Sequence, residues 1–375
     1  MSQQPGSGDL KRVVALDGLR GLAAIAVVVG HTIGALRSPP GIAAPSVILF
    51  FVLSGYCLST SALRGDRAVD RVQFFIRRVF RIHPPFVFAL LFAWVVSLSA
   101  HTAPCCDGLS RWILHFNQVA LSVPELFGFL FFPGTADNLM PIGWSLEVEM
   151  VFSILFPFML WLTREGHWSV PLGLALFALF QYSTPYNGQV YAIHFVVGIL
   201  IFETGGRLRG LAQRAPVGLS LAVALFATYF TAVGVGVVPR DWNVLLWFGP
   251  LRLQPWTLLS LAISSSAFTI GAIHLPWLRN ALEWRPVRFL GRISYSVYLL
   301  HFTVLLLCLR LVGERQSDLQ VAVFVVAVVG VTVALSAAMY RFIELPSIRL
   351  GNAVCVRVAG RAHSQERLAR VADQS

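Results

Sequence analysis

The chain has little charge. Only 13% of its 375 residues are Asp, Glu, Lys or Arg, against 56% hydrophobic, and the mean hydropathy is +0.71. A soluble domain of this size cannot bury that much apolar surface, so a soluble globular protein is excluded and a polytopic membrane protein is expected. Lysine is all but missing. Lys11 is the only one, and the net charge of +11 is carried by arginine. The arginines stand in short loops between apolar runs, which favours membrane orientation over nucleic-acid binding. Cysteine is scarce and scattered, at Cys57, Cys105, Cys106, Cys308 and Cys355. No metal-ligand spacing is present, and a vicinal pair makes a strained disulfide at best. The cysteines therefore read as packing or incidental residues, and no metal is expected. Internal repeats and low-complexity segments are absent, as is any polar segment long enough for a second domain.

What is there is a series of apolar runs. Residues 1–12 are polar and read as a disordered cytoplasmic N-terminus. Spans are expected at about 13–36, 42–63, 84–103, 144–163, 168–183, 188–203, 215–238, 254–276, 293–312 and 319–340. The first is expected to stay as a membrane helix, because Asp17 and Arg20 interrupt its start and no clear cleavage site follows. Residues 105–143 read as a long outer loop with an interfacial or re-entrant piece around 126–132. With the N-terminus inside, inner segments hold 22 basic residues and outer loops 5. That asymmetry fits the positive-inside rule, and a full span at 111–132 would spoil it. The expectation is an all-α transmembrane bundle of about ten spans with both termini cytoplasmic. Residues 13–346 form its membrane domain and 347–375 a basic cytoplasmic tail.

A few ionisable groups interrupt the grease. Arg20 and His31 lie eleven residues apart in the first span. In a helix that is roughly 16 Å and close to three turns, so both point to one face. Such groups inside a span tend to mark function. Glu149 sits about one and a half turns into the fourth span, at a depth similar to that of His31. The pair suggests a base and its orienting partner, whereas Glu147 reads as an interface residue. Arg77, Arg78 and Arg81 end the second inner segment. With Arg20 they suggest an anion site for a phosphorylated cytosolic molecule; the plainer reading is topology and contact with anionic membrane lipids. Tyr295, Tyr298 and His301 are spaced by three and share a helix face. That stripe lines a polar cavity or forms an aromatic belt with a packing histidine. His194 and His274 read as core histidines.

Six stretches, in order, resemble acyltransferase family 3, integral membrane O-acyltransferases of bacteria and some eukaryotes. They are Arg20 and His31 within the first span, Phe50-Phe51-Val52-Leu53-Ser54-Gly55-Tyr56, the arginine run closing on Ile82-His83-Pro84, Trp144-Ser145-Leu146-Glu147-Val148-Glu149, Ser294-Tyr295-Ser296-Val297-Tyr298-Leu299-Leu300-His301, and Glu344-Leu345-Pro346. Ser153 departs from the family's usual Tyr. The resemblance implies transfer of an acyl group, often acetyl, from acyl-CoA to a hydroxyl of a sugar, lipid-linked glycan, lipid or macrolide, at the bacterial inner membrane. Arg20, Arg77, Arg78 and Arg81 would hold the phosphates of acetyl-CoA, and His31 and Glu149 would be catalytic. Trp144, Ser145, Tyr295, Tyr298 and His301 would face the acceptor, with Glu344 and Pro346 structural. Some members carry a fused extracytoplasmic esterase-like domain; a chain ending at residue 375 is expected to act unaided or with a separate partner. The competing expectation is a transporter or flippase without chemistry, although such proteins often show repeats in matching halves.

Overall fold

A computed structural model of the protein describes residues 13–37, 43–62, 68–98, 113, 123–131, 139–180, 188–234, 255–311 and 317–372. Every element among the described residues is helical. The first half comprises α1 (Val14–Leu36), α2 (Ala43–Ala62), α3 (Ala68–Leu98), α4 (Val123–Phe131), α5 (Gly143–Arg164) and α6 (Ser169–Phe180). A 3-10 turn, Gly188–Tyr191, leads into α7 (Ala192–Glu203), α8 (Gly205–Arg214), α9 (Pro216–Gly234), α10 (Pro255–His274) and α11 (Pro276–Leu282). Then come α12 (Arg285–Leu309), α13 (Asp318–Met339), a π turn at Tyr340–Glu344 and α14 (Leu345–Ala372).

Among the described residues, seven helices are long and apolar enough to cross a membrane, or eight if α7 and α8, bent by 74°, count as one span. That is fewer than the ten expected spans. The apolar stretches of α6 and α9, Ser169–Leu179 and Pro216–Ala232, are shorter than the roughly 20 residues a bilayer asks for. Helix directions call for passes there nonetheless. Phe51 meets Trp144 and Ser54 meets Glu149, so α2 and α5 run the same way. Phe51 meets Tyr191 and Tyr56 meets Phe202, so α7 runs with them too. The chain must recross the bundle between α5 and α7, where α6 lies. Likewise α9 runs against α10, with Val223 at Gly271 and Tyr229 at Ser260.

Close helix approach depends on glycine. A Cβ on Gly21 would stand 2.5 Å from the backbone nitrogen of Gly291, and one on Gly55 would overlap the Phe195 carbonyl oxygen. Small residues let backbones meet where no hydrophobic effect drives helix association. The Gly21–Gly291 contact also sets a register. Ten residues further along both helices, His31 meets His301. Thus α1 and α12 pack in parallel, and their glycine contact fixes which side chains face each other at the far end.

Two sequence boundaries shift. Residues 68–83, expected as part of an inner loop, belong to the 31-residue helix α3, which runs on through Pro84 and Pro85. Proline cannot supply the N–H that the carbonyl four residues earlier expects. The carbonyl left open by Pro84 is that of Phe80, and the Ser347 hydroxyl of α14 donates to it. Beside the break, the Tyr295 hydroxyl donates to the Ile82 carbonyl at 2.8 Å. Neighbouring helices thus make the break tolerable in the bundle. The second shift is at the C-terminus. Span ten and the expected tail run together as one helical stretch, Asp318–Gly360. Its middle widens to a π turn, where the Leu345 N–H reaches the Tyr340 carbonyl five residues back. Pro346, lacking an N–H, follows directly. In the region read as a re-entrant loop, α4 has nine residues, too few to span; 105–112, 114–122 and 132–138 lie outside the described residues.

Candidate active site

The polar side chains singled out from the sequence gather in layers between α1, α2, α3, α5 and α12. At one end stand His31 and His301, both buried. Nδ1 of His31 and Nε2 of His301 are hydrogen-bonded at 2.9 Å. The other nitrogen of His301, Nδ1, lies 2.7 Å from the Tyr298 carbonyl oxygen. Phe302 sets its ring edge-on to His31, with centroids 5.9 Å apart.

One turn along α12, Tyr298 meets Ser145 of α5 at 2.6 Å. Ser145 donates its single proton to the Ile142 carbonyl at 2.8 Å, so the Tyr298 hydroxyl is the donor between the two. Trp144 turns the other way, into an aromatic cluster with Phe51 and Tyr191.

The next layer is ionic. Glu149 accepts from Nη2 of Arg78 at 2.6 Å and from the Ser54 hydroxyl at 3.3 Å. Nε of Arg78 donates to Ser153 at 2.8 Å, and Ser153 donates to the Glu149 carbonyl one turn back. Glu149 was expected to orient His31. The structure instead pairs its carboxylate with Arg78, while His31 finds His301. The similar depth expected of the two does not hold either, because the Tyr298–Ser145 pair lies in a layer between them. Arg78 reaches this layer because α3 is helical through the stretch read as a loop.

At the Arg20 end, Glu344 of the π turn is buried and accepts from the Ser296 hydroxyl at 2.7 Å. Arg20 and Arg81 lie within electrostatic range of both Glu149 and Glu344. Nε of Arg20 is buried and has no hydrogen-bond partner among the described residues. Arg77 stays on its own helix, donating to Gln73 at 3.1 Å. Of the four arginines expected to act together, then, Arg20, Arg78 and Arg81 gather around the carboxylates. Tyr295 serves the α3 break and Pro346 the π turn. Sequence reasoning passed over Ser54 and Ser296; the signal for each was its place inside a motif already quoted. Among the described residues, no group of three or more His, Cys, Asp or Glu is placed to hold a metal ion.

A bundle of apolar helices around layered ionisable groups defines a multi-pass membrane protein with a buried polar site. A family model described as an acyltransferase domain matches residues 13–341, and the chain belongs to that family, acyltransferase family 3. Among curated proteins it is similar to the putative peptidoglycan O-acetyltransferase YrhL of Bacillus subtilis, at 27% identity over 89% of this chain and 54% of that one. It is also similar to the peptidoglycan O-acetyltransferase OatA of Listeria monocytogenes, at 25% identity over 90% of this chain and 56% of that one. The O-acetyltransferase OatA of Staphylococcus aureus is 24% identical over 90% of this chain and 57% of its own length. The chain therefore spans little more than half the length of these relatives. No solved structure matches it.

Proposed function

We propose that the protein is an O-acetyltransferase of the bacterial inner membrane that moves an acetyl group from acetyl-CoA to a carbohydrate hydroxyl. The relatives' own acceptor, as two of their names give it, makes peptidoglycan the first candidate. The observation that carries the reading is the buried imidazole of His31, its Nδ1 hydrogen-bonded to His301, at the far end of a polar path from Arg20. A sugar hydroxyl is a weak nucleophile at neutral pH, and an imidazole is suited to taking its proton as attack proceeds. The hydroxyl oxygen adds to the thioester carbonyl, the C–S bond breaks, and the departing thiolate collects the proton from His31. The products are an ester and free coenzyme A.

At the other end, Arg20, Arg78 and Arg81 outnumber Glu149 and Glu344, leaving a positive excess. Guanidiniums suit phosphate oxygens, and this end would take the phosphate-rich head of the donor. Its pantetheine arm would run the roughly 16 Å from Arg20 to His31. Glu149 acts here through Arg78, holding that guanidinium in place. Purified protein with acetyl-CoA and peptidoglycan fragments should release thiol. His31→Ala should cut that turnover by about 10²–10⁴-fold while acetyl-CoA binding, read by equilibrium dialysis, survives. A folded His31→Ala protein with unchanged turnover would remove the proposed chemistry.

A further inference from the structure

A backbone carbonyl fixes where one of the two histidines carries its proton. Nδ1 of His301 faces the Tyr298 carbonyl at 2.7 Å, with the Val297 carbonyl beside it. A carbonyl oxygen can only accept, so Nδ1 of His301 carries a proton. In a neutral imidazole the other nitrogen is then the acceptor. That nitrogen, Nε2, is the one 2.9 Å from Nδ1 of His31, so His31 must donate, and Nδ1 of His31 carries its proton. The opposite tautomer of His31 would set two lone pairs against each other in a buried place. Ring geometry agrees. The planes differ by only 20° while the centroids stand 5.1 Å apart. The rings therefore lie nearly edge to edge in one plane, as an N–H···N bond requires. Phe302 closes the edge of both rings.

We infer that His301 is the positioning residue of this site: its Nε2 accepts the Nδ1–H of His31 and fixes the tautomer in which Nε2 of His31 is the basic nitrogen. This rests on the proposed role of His31 and adds its orienter, which the sequence had placed in Glu149 and which had left His301 on the acceptor side. The proton leaves the acceptor hydroxyl for Nε2 of His31 as oxygen bonds to the thioester carbon. The bond to His301 then becomes a charge-assisted one, which strengthens as the imidazolium forms. The thiolate removes that proton when the C–S bond breaks, and His301 itself neither gains nor loses one. The Tyr298 carbonyl thus sets the tautomer of His301, and His301 sets that of His31.

Two amides separate this role from mere packing. In His301→Gln the side-chain oxygen reaches where Nε2 was, whereas in His301→Asn the amide reaches only the position of Nδ1. His301→Gln should keep kcat within about tenfold of wild type, and His301→Asn should lose about 100-fold or more. KM for acetyl-CoA should stay within about twofold in both, since neither residue would touch the donor head. Nitrogen-15 NMR of histidine-labelled protein, with the His31 signals assigned by their loss in His31→Ala, should show a protonated Nδ1 and an unprotonated Nε2 for neutral His31. His301→Gln should keep that pattern and His301→Asn should lose it. An unprotonated Nδ1 in the wild-type spectrum overturns the inference, as does wild-type kcat in His301→Asn. If His301→Asn does not fold, the wild-type spectrum decides alone. Normal turnover in His31→Ala would instead strike the proposed base while leaving the tautomer measurement standing.

Discussion

The Arg78–Glu149 pair separates the structural account of the site from the one the sequence suggests. Their side chains are 16% and 18% exposed, so the pair is well inside the bundle. Arg78→Met removes the 2.6 Å bond to Glu149 and the 2.8 Å bond to Ser153. Glu149 then keeps the Ser54 hydroxyl at 3.3 Å and loses its nearest positive charge. Breaking a buried pair from one side costs about 3–5 kcal/mol. Glu149→Gln keeps an amide oxygen near Arg78 and should cost less, about 1.5–3 kcal/mol for one charged hydrogen bond. Arg78→Met with Glu149→Gln removes both charges of the pair, so neither is left facing the gap of the other, and the double variant should be more stable than the two single losses added together, by about 2 kcal/mol or more. The chain has 10 tryptophans, and their fluorescence during unfolding in mixed SDS micelles would read all four proteins. Additivity within about 0.5 kcal/mol would show that the pair contributes nothing as a pair. Activity gives a second reading of the same variants. If Glu149 holds Arg78 for the donor, Glu149→Gln should raise KM for acetyl-CoA with kcat nearly intact. A fall in kcat alone, with donor binding unchanged, would return Glu149 to the His31 end and refute the arrangement.

Three further outcomes are expected. Arg20→Ala and Arg81→Ala should each weaken coenzyme A binding by about ten- to a hundredfold, the loss of one charged hydrogen bond of about 1.5–3 kcal/mol, and titration calorimetry with unchanged affinity in both would assign these arginines to topology alone. Gly55→Leu should abolish accumulation of folded protein, because its side chain would meet the Phe195 backbone; Gly330→Ala, with open space at its Cβ, should be neutral or gain up to about 1 kcal/mol of helix propensity. Reporter fusions should place both termini on the cytoplasmic side, following the 22-to-5 split of basic residues, and an external C-terminus would overturn that orientation.

Helix content, the positions of the apolar runs and the stretches that carry polar groups were legible because each is local in sequence. A run of apolar residues announces a helix, and a charge within it announces an exception that something must satisfy. Partnership was not legible, because it depends on which way each helix faces. Helix rise along two separate spans sets His31 and Glu149 at a similar depth, yet the Tyr298–Ser145 layer lies between them, because rise gives no measure of how one helix is shifted along another. Their partners, His301 and Arg78, come from 270 and 71 residues away, and only the packing of α1 on α12 and of α3 on α5 brings them in. The Gly21–Gly291 contact shows how such packing is encoded. It fixes a parallel register at one end of two helices, and ten residues on, that register delivers one histidine to another. The misread loop has a similar cause. Two prolines in a row argue for a helix end, yet α3 continues, because Ser347 and Tyr295 from α14 and α12 supply hydrogen bonds beside the break. Arg78 lies within two turns of that break, so a bond made by the C-terminal helix helps hold the segment that carries Arg78 to Glu149. Ser347, one residue past the closing motif, therefore bears on where Arg78 stands without touching it, which is a connection that spacing along the chain could not express.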